Sequence, residues 1–338
     1  MSLEQMGITV LWIFLYGYLI VASIDFGAGF FAYYGKVIGI ESVIGPVISR
    51  YLSPVWEVTN VFLVFFFVGI VGFFPDTAYY YGTALLIPGS IALILLAIRG
   101  SFYAFANYGA RKNNLYLLAY GLTGLLIPAA LSIVFTISEG GFLFVHGSTV
   151  TLLMEELFFS AYSWAVVLLA VSSVLFISST FLTYYAEHAE DKRALEWLRS
   201  FALWGGVPTI ISSLFVFIAL RNHNREHFQN TLDLWWMFGL SLASFMAAMW
   251  LIWRRKNYGM AFILVMLQFA FAFFGYGLSH LPYLLYPHLT LASSVTNPAM
   301  GRALVISFVA GLVLLIPALV LLLRLFLFNA KYVKGEVP

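Results

Sequence analysis

The sequence predicts an all-α fold: a polytopic membrane helical bundle of nine transmembrane helices, N-terminus outside and C-terminus cytoplasmic. Three observations carry that reading. Hydrophobic residues make up 62% of the chain and charged residues only 9%, against roughly 25% charged in a soluble domain. The apolar residues gather into nine runs, each near the roughly 20 residues that a 30 Å hydrocarbon core requires. Lysine and arginine are shared very unequally between alternate loops, as the positive-inside rule demands of a multi-pass protein.

The first run covers residues 8–34, and only Glu4 is charged before it. The basic region of a cleaved leader is missing, so this run is expected to stay as a span. The second run, 57–75, follows Pro54 and Trp56; proline suits a first helical turn and tryptophan an interfacial belt. Further runs cover 82–104, 114–137, 161–186, 199–220, 234–253, 259–279 and 303–327. Residues 280–302 carry His280, Pro282, Pro287, Asn297 and Pro298, too many breakers for a tenth span. The stretches 35–56, 138–160, 221–233 and 280–302 read as loops too short for a soluble domain. The chain is therefore a single integral membrane domain, 1–338. The charged connection 187–198 marks where two bundles would divide, 1–186 from 187–338.

Alternating these spans places Lys36, Arg50, Arg111, Lys112, Lys192, Arg193, Arg199, Arg254, Arg255, Lys256, Lys331 and Lys334 on one side. Only Arg221, Arg225 and Arg302 fall on the other. The richer side is cytoplasmic. A net charge of +2 gives no reason to expect nucleic acid, and the absence of cysteine excludes disulfides, thiolate metal sites and thiol nucleophiles.

Asp25 is the only ionisable acid or base in the first run. A charge at such depth costs about 2.5 to 3.5 kcal/mol on insertion scales, which makes a partner or a function the expectation. Arg99 lies about 17 residues into span 3, at the depth Asp25 has in span 1, and Glu57 enters at the cytoplasmic rim of span 2. Asp25 and Arg99 would either neutralise each other as a structural ion pair or, with Glu57, line a proton route from the cytoplasm. Thr59 and Asn60 stand where they would hold water beside Glu57. Phe26-Gly27-Ala28-Gly29 after Asp25 would let another helix approach closely.

Haem ligation needs histidines well inside the spans. The six here (His146, His188, His223, His227, His280 and His288) fall in loops or at span ends. His223 and His227 are four apart, but a zinc site recruits more ligands than two, and the pair reads as solvated. No cofactor or metal site is expected in this chain.

Three stretches in order resemble the signatures of subunit II of cytochrome bd-type quinol oxidases. They are Gly17-Tyr18-Leu19-Ile20-Val21-Ala22-Ser23-Ile24-Asp25-Phe26-Gly27-Ala28-Gly29, Pro54-Val55-Trp56-Glu57, and Ala97-Ile98-Arg99-Gly100-Ser101-Phe102. The resemblance implies a heterodimer in the bacterial cytoplasmic membrane that reduces O2 to water with quinol electrons. Haem b and haem d are expected in the partner, subunit I, and a small accessory subunit, lipid and quinol are expected in the complex. The family's proton-path acids fall on Asp25 and Glu57, with Trp56 and Arg99 beside them. Where relatives often carry tryptophan, associated with oxygen access, this chain has Phe62. Glu57 stands where aspartate is common, and Tyr103-Ala104-Phe105-Ala106 lacks the charges many relatives carry there. Two other classes remain open at this level. An ion-coupled secondary transporter would use Asp25 and Glu57 as coupling groups, but few polar residues besides Gln268 lie near Pro88, Pro128, Pro208 and Pro317. The other is a purely structural membrane partner.

Overall fold

The computed structural model describes residues 2–106, 114–146, 149–293, 297–322 and 324–325, apart from the side chains of 51–58, 102–106 and 322. Almost all of it is helix. The order begins α1 (Leu3–Val37), α2 (Glu41–Phe73), α3 (Pro75–Ala84), α4 (Leu86–Ala106) and α5 (Asn114–Ser138). A hairpin of β1 (Leu143–His146) and β2 (Thr149–Leu152) follows, then α6 (Met154–Phe159), α7 (Ala161–His188) and α8 (Lys192–His223). The chain continues with α9 (Arg225–Asp233), α10 (Trp235–Trp253) and α11 (Tyr258–His280). A second antiparallel hairpin, β3 (Tyr283–Leu285) with β4 (Leu289–Thr290), precedes α12 (Pro298–Leu322).

Seven of these helices (α1, α5, α7, α8, α10, α11 and α12) are long and apolar enough to cross a bilayer. An eighth span is added if α3 and α4, bent by 81° against each other, count as one. In α2, residues Thr59–Phe73 form a shorter apolar stretch.

Several expected boundaries are corrected. Residues 35–56 are not a loop: α1 runs to Val37 and α2 starts at Glu41. Gly39 makes that reversal possible with φ +77°, a conformation that costs glycine nothing. The third expected span begins at 86 rather than 82, because the chain bends at Leu85 and Pro88 sits in the first turn of α4, where a missing N–H does no harm. The stretches 138–160 and 280–302 each contain a hairpin, and 221–233 is mostly α9.

Helix α1 is the centre of the molecule. It packs on α2, α5, α7, α11 and α12, and every residue from Ala22 to Gly29 is buried. Burial all round at one level requires small residues, since lipid tails solvate an apolar surface as well as another helix does. A Cβ on Gly27 would collide with Ser178 of α7, and one on Gly124 of α5 with the Phe26 carbonyl. The Ser178 hydroxyl donates to Ile24 O at 2.9 Å, fastening α7 to α1. At the periphery, α8, α10 and α12 leave large apolar side chains such as Trp204, Trp253 and Leu314 exposed. Such faces suit hydrocarbon and would be aggregation sites in water.

Adding a methyl group at Gly124 should therefore disturb the α1–α5 contact. Gly124→Ala is expected to lower the stability of the purified protein by about 1 to 3 kcal/mol, read as thermal unfolding in detergent. Gly82→Ala, where nothing lies within 4 Å of the new Cβ, is the neutral control.

Candidate functional site

Asp25 and Arg99 meet at the buried level of α1. The Arg99 Nε donates to Asp25 Oδ2 at 3.0 Å, and both side chains are almost fully enclosed, 1% and 3% exposed. The guanidinium is used on every edge. Its Nη2 donates to the Asp25 main-chain oxygen at 2.7 Å and its Nη1 to Tyr120 O at 3.0 Å. One face lies 4.0 Å from the centre of the Tyr120 ring, and the Phe26 ring is 5.3 Å away. Tyr120 of α5 also donates its hydroxyl to Asp25 Oδ1 at 3.4 Å.

Each part has a local cause. A planar fork of donors can satisfy a carboxylate and two carbonyls together, which an ammonium could not do. Gly29 lies against the arginine, and a Cβ there would come 2.9 Å from both Nη atoms. The tyrosine supplies an aromatic face to a desolvated cation, an attraction worth about 2 kcal/mol when water is excluded. The arrangement holds one charge pair dry and ties α1, α4 and α5 together at one height.

The remaining expected site residues are placed less closely. Thr59 is buried and Asn60 half-buried on α2. Phe62 is buried, 6.2 Å from the Phe14 ring and filling the space over Gly17, about two helical turns from Asp25 along α1. The side chains of Trp56 and Glu57, and those of Tyr103 to Ala106, lie outside the described residues.

The reading of His223 and His227 as a solvated pair is corrected. His227 is 2% exposed. Its Nδ1 lies 2.8 Å from Glu139 Oε1, and its Nε2 2.8 Å from Ser279 Oγ. His223 turns elsewhere: it bonds Gly140 O at 3.0 Å and stacks between Phe142 and Tyr162. Glu139 immediately follows α5, and three further groups converge on it. Tyr276 donates to Oε1 at 2.6 Å, Asn224 donates to Oε2 at 2.9 Å, and His280 Nδ1 stands 3.5 Å from Oε1. Burial would push this carboxyl up, but the His227 bond and the neighbouring imidazoles and tyrosine hold it below the usual glutamate value. Asn224 is positioned by its own role as N-cap of α9, where its Oδ1 accepts from His227 N. Glu139, Asn224, His227 and His280 belong to stretches that read as loops, where polar residues are expected to be solvated.

Removing the cation from the first cluster should be costly. Arg99→Leu leaves the Asp25 carboxyl buried without its partner, and breaking such a pair costs about 3 to 5 kcal/mol. The expected outcome is a sharp drop in the yield and unfolding temperature of purified protein; normal yield and stability would refute the energetic role of the pair.

Comparison with known proteins places this geometry. Residues 3–326 match the family model described as cytochrome bd terminal oxidase subunit II. A Bacillus subtilis (strain 168) protein described as a putative cytochrome bd menaquinol oxidase subunit II is 32% identical over 340 residues, covering 98% of this chain and 97% of that protein. A chain in the structure of bd oxidase from Geobacillus thermodenitrificans superposes with a TM-score of 0.86 at 56% identity. That match covers 97% of this chain and all of the other.

Proposed function

The chain belongs to the cytochrome bd terminal oxidase subunit II family and is a multi-pass bacterial membrane subunit of a quinol:O2 oxidoreductase; we propose that it stabilises the haem-bearing subunit and contributes a cytoplasmic proton path. The observation that carries this reading is the dry charge cluster of Asp25, Arg99 and Tyr120 at the level of the signature residues. Reduction of O2 to water consumes protons, whereas quinol oxidation releases them, and carboxyl groups at membrane depth commonly conduct protons. In the proposed path Glu57 takes protons at the rim beside Trp56, Thr59 and Asn60 arrange water, and Asp25 receives the proton under control of Arg99. Phe62 is assigned to oxygen access. The menaquinol named for the Bacillus subtilis relative is the proposed electron donor.

The proposed topology has nine spans, N-terminus outside and C-terminus cytoplasmic, with α2 supplying the span beyond the eight and 187–198 dividing two bundles. Haem b and haem d are placed in the partner, with an accessory subunit, lipid and quinol in the complex. What supports this assignment is the histidine geometry. His146 lies on a strand, His288 in a turn, and His188, His223 and His280 at the last turns of α7, α8 and α11. Both ring nitrogens of His227 face protein groups, Glu139 and Ser279. The crevice beside His227 and His280 has essentially no room for a water-sized molecule, far below the roughly 300 to 1,000 Å³ of small-molecule sites. These residues do not fit a haem, and no electron-transfer step is assigned to this chain.

Arginine bonded to two main-chain carbonyls also suits a second reading, in which the cluster only pins helices. Asp25→Asn separates the two. Asparagine keeps the size and still accepts a hydrogen bond from Arg99, but exchanges no proton. The proposed path predicts normal haem content with quinol oxidase turnover per haem reduced by about 100-fold or more, the range of lost proton-transfer catalysis. Turnover per haem equal to the parent enzyme would leave the cluster as a pin. Glu57→Gln is expected to slow turnover at unchanged haem content, and Glu57→Asp, which keeps the carboxyl, to be mild. Unaltered rates for Glu57→Gln between pH 6 and 8 would remove that residue from the path.

A further inference from the structure

The cluster at the opposite end of α5 has no part in the proton path, and its chemistry is different. Glu139, His227 and His280 each offer one ligand atom, and these atoms lie within 4.8 Å of one another. From this arrangement we propose that Glu139, His227 and His280 form a binding site for a divalent transition cation of the zinc type, clamping the ends of α5 and α11 to α9.

Ligand chemistry comes first. Two imidazoles and one carboxylate, with no thiolate available in a chain lacking cysteine, form a set that zinc accepts at about 2.0 to 2.2 Å. Bonds of that length around a tetrahedral ion separate neighbouring donors by about 3.4 Å. His280 Nδ1 and Glu139 Oε1 stand 3.5 Å apart, too far for a good hydrogen bond and right for two ligands of one ion. The 2.8 Å edge between His227 Nδ1 and Glu139 Oε1 would open by about 0.6 Å.

The second support is an unsatisfied group. His280 is more than nine-tenths buried; among the described residues its Nε2 has no hydrogen-bond partner and its Nδ1 has only the stretched approach to Glu139. Buried imidazoles are ordinarily bonded, and an exception calls for a bound ion or water. A plain imidazolium–carboxylate pair would account for His227 and Glu139 but not for His280.

The surroundings are those of a prepared ligand set. The Ser279 hydroxyl has one proton and lies 2.9 Å from Tyr276 O. With that proton placed on the carbonyl, His227 donates from Nε2 to Ser279, and its Nδ1 lone pair faces the Glu139 carboxylate. Two electron-rich atoms at 2.8 Å need a proton or a metal cation between them, and a metal would engage His280 as well. Metal-bound histidines characteristically donate their second nitrogen to such a partner. Tyr276 and Asn224 hold the carboxylate in place. His227 and His280 border a narrow crevice whose lining includes exposed Glu226.

The test uses the purified oxidase complex with both subunits present. After equilibration with zinc chloride and removal of free metal by gel filtration, zinc per complex is measured by mass spectrometry and zinc affinity by competition with a chelator. The parent complex is expected to hold one zinc more than His280→Gln. Ser279→Ala keeps all three ligands and is expected to weaken affinity by about 10- to 100-fold, while His223→Gln, outside the ligand set, leaves it unchanged. Haem content, equal in all four, certifies assembly. If His280→Gln fails to assemble, Ser279→Ala decides alone. Equal zinc in the parent and His280→Gln complexes, or equal affinity in the parent and Ser279→Ala complexes, overturns the site and leaves an imidazolium–carboxylate pair with water on His280.

Discussion

The need to bury Arg99 and Asp25 without water constrains more of this structure than any other interaction. An isolated charge in hydrocarbon is costly enough that the two must meet, and meeting is not sufficient. The guanidinium has donors beyond those one carboxylate can use, so two main-chain oxygens are recruited, from Asp25 itself and from Tyr120. That recruitment fixes the height of α5 against α1. Close approach then forces Gly29 and Gly124 at the contact, because a side chain at either position would occupy the space of the arginine or of the Phe26 carbonyl. Small residues, charge pair and helix register are consequences of one desolvation problem.

Much of this was legible in the sequence. An acid and a base in otherwise apolar runs, at equal depth, made the pairing of Asp25 with Arg99 one of the expected arrangements, with Glu57 at the rim as the other carboxylate within reach. Tyr120 could not be placed beside them, because a tyrosine in an apolar span looks the same whether it packs in the core or covers a cation. The interior apolar runs were equally legible, since about 20 consecutive apolar residues leave little choice of structure. Helix ends were not: α1 and α2 extend through polar residues because Gly39 turns the chain within a few positions, which hydropathy does not register.

The cluster around Glu139 was missed for a related reason. Its members sit at the ends of α5 and α11 and on α9, each within or beside a stretch that reads as exposed. Polar residues at span ends are normally solvated, so nothing in their spacing marks these as buried. The signal was topological. In the nine-span reading, Glu139, His227 and His280 all come to the same side of the membrane. One acid and two imidazoles on one face, beside a hairpin and the amphipathic α9 that cover them, was information available only once sidedness was taken as a constraint on contact.

The two clusters together answer a question that apolar packing leaves open. In lipid, a leucine gains little by facing another helix rather than an acyl chain, so apolar surfaces resist sliding weakly. Polar contacts do not slide. Tyr120 and Glu139 lie on the same segment, about 28 Å apart along the α5 axis, and each engages partners that are themselves anchored. Near the first end α5 is held to α1 and α4 through the arginine; just past the other, Glu139 binds α9 and α11 through the histidines and Tyr276. A helix held at both ends cannot shift by a turn without breaking a charged contact at one of them. The shift would also bury an uncompensated charge, a loss of several kcal/mol rather than the fraction that sliding apolar surfaces would cost. Register in this bundle is therefore set by its few ionisable residues, and the many apolar ones fill the space that those residues define.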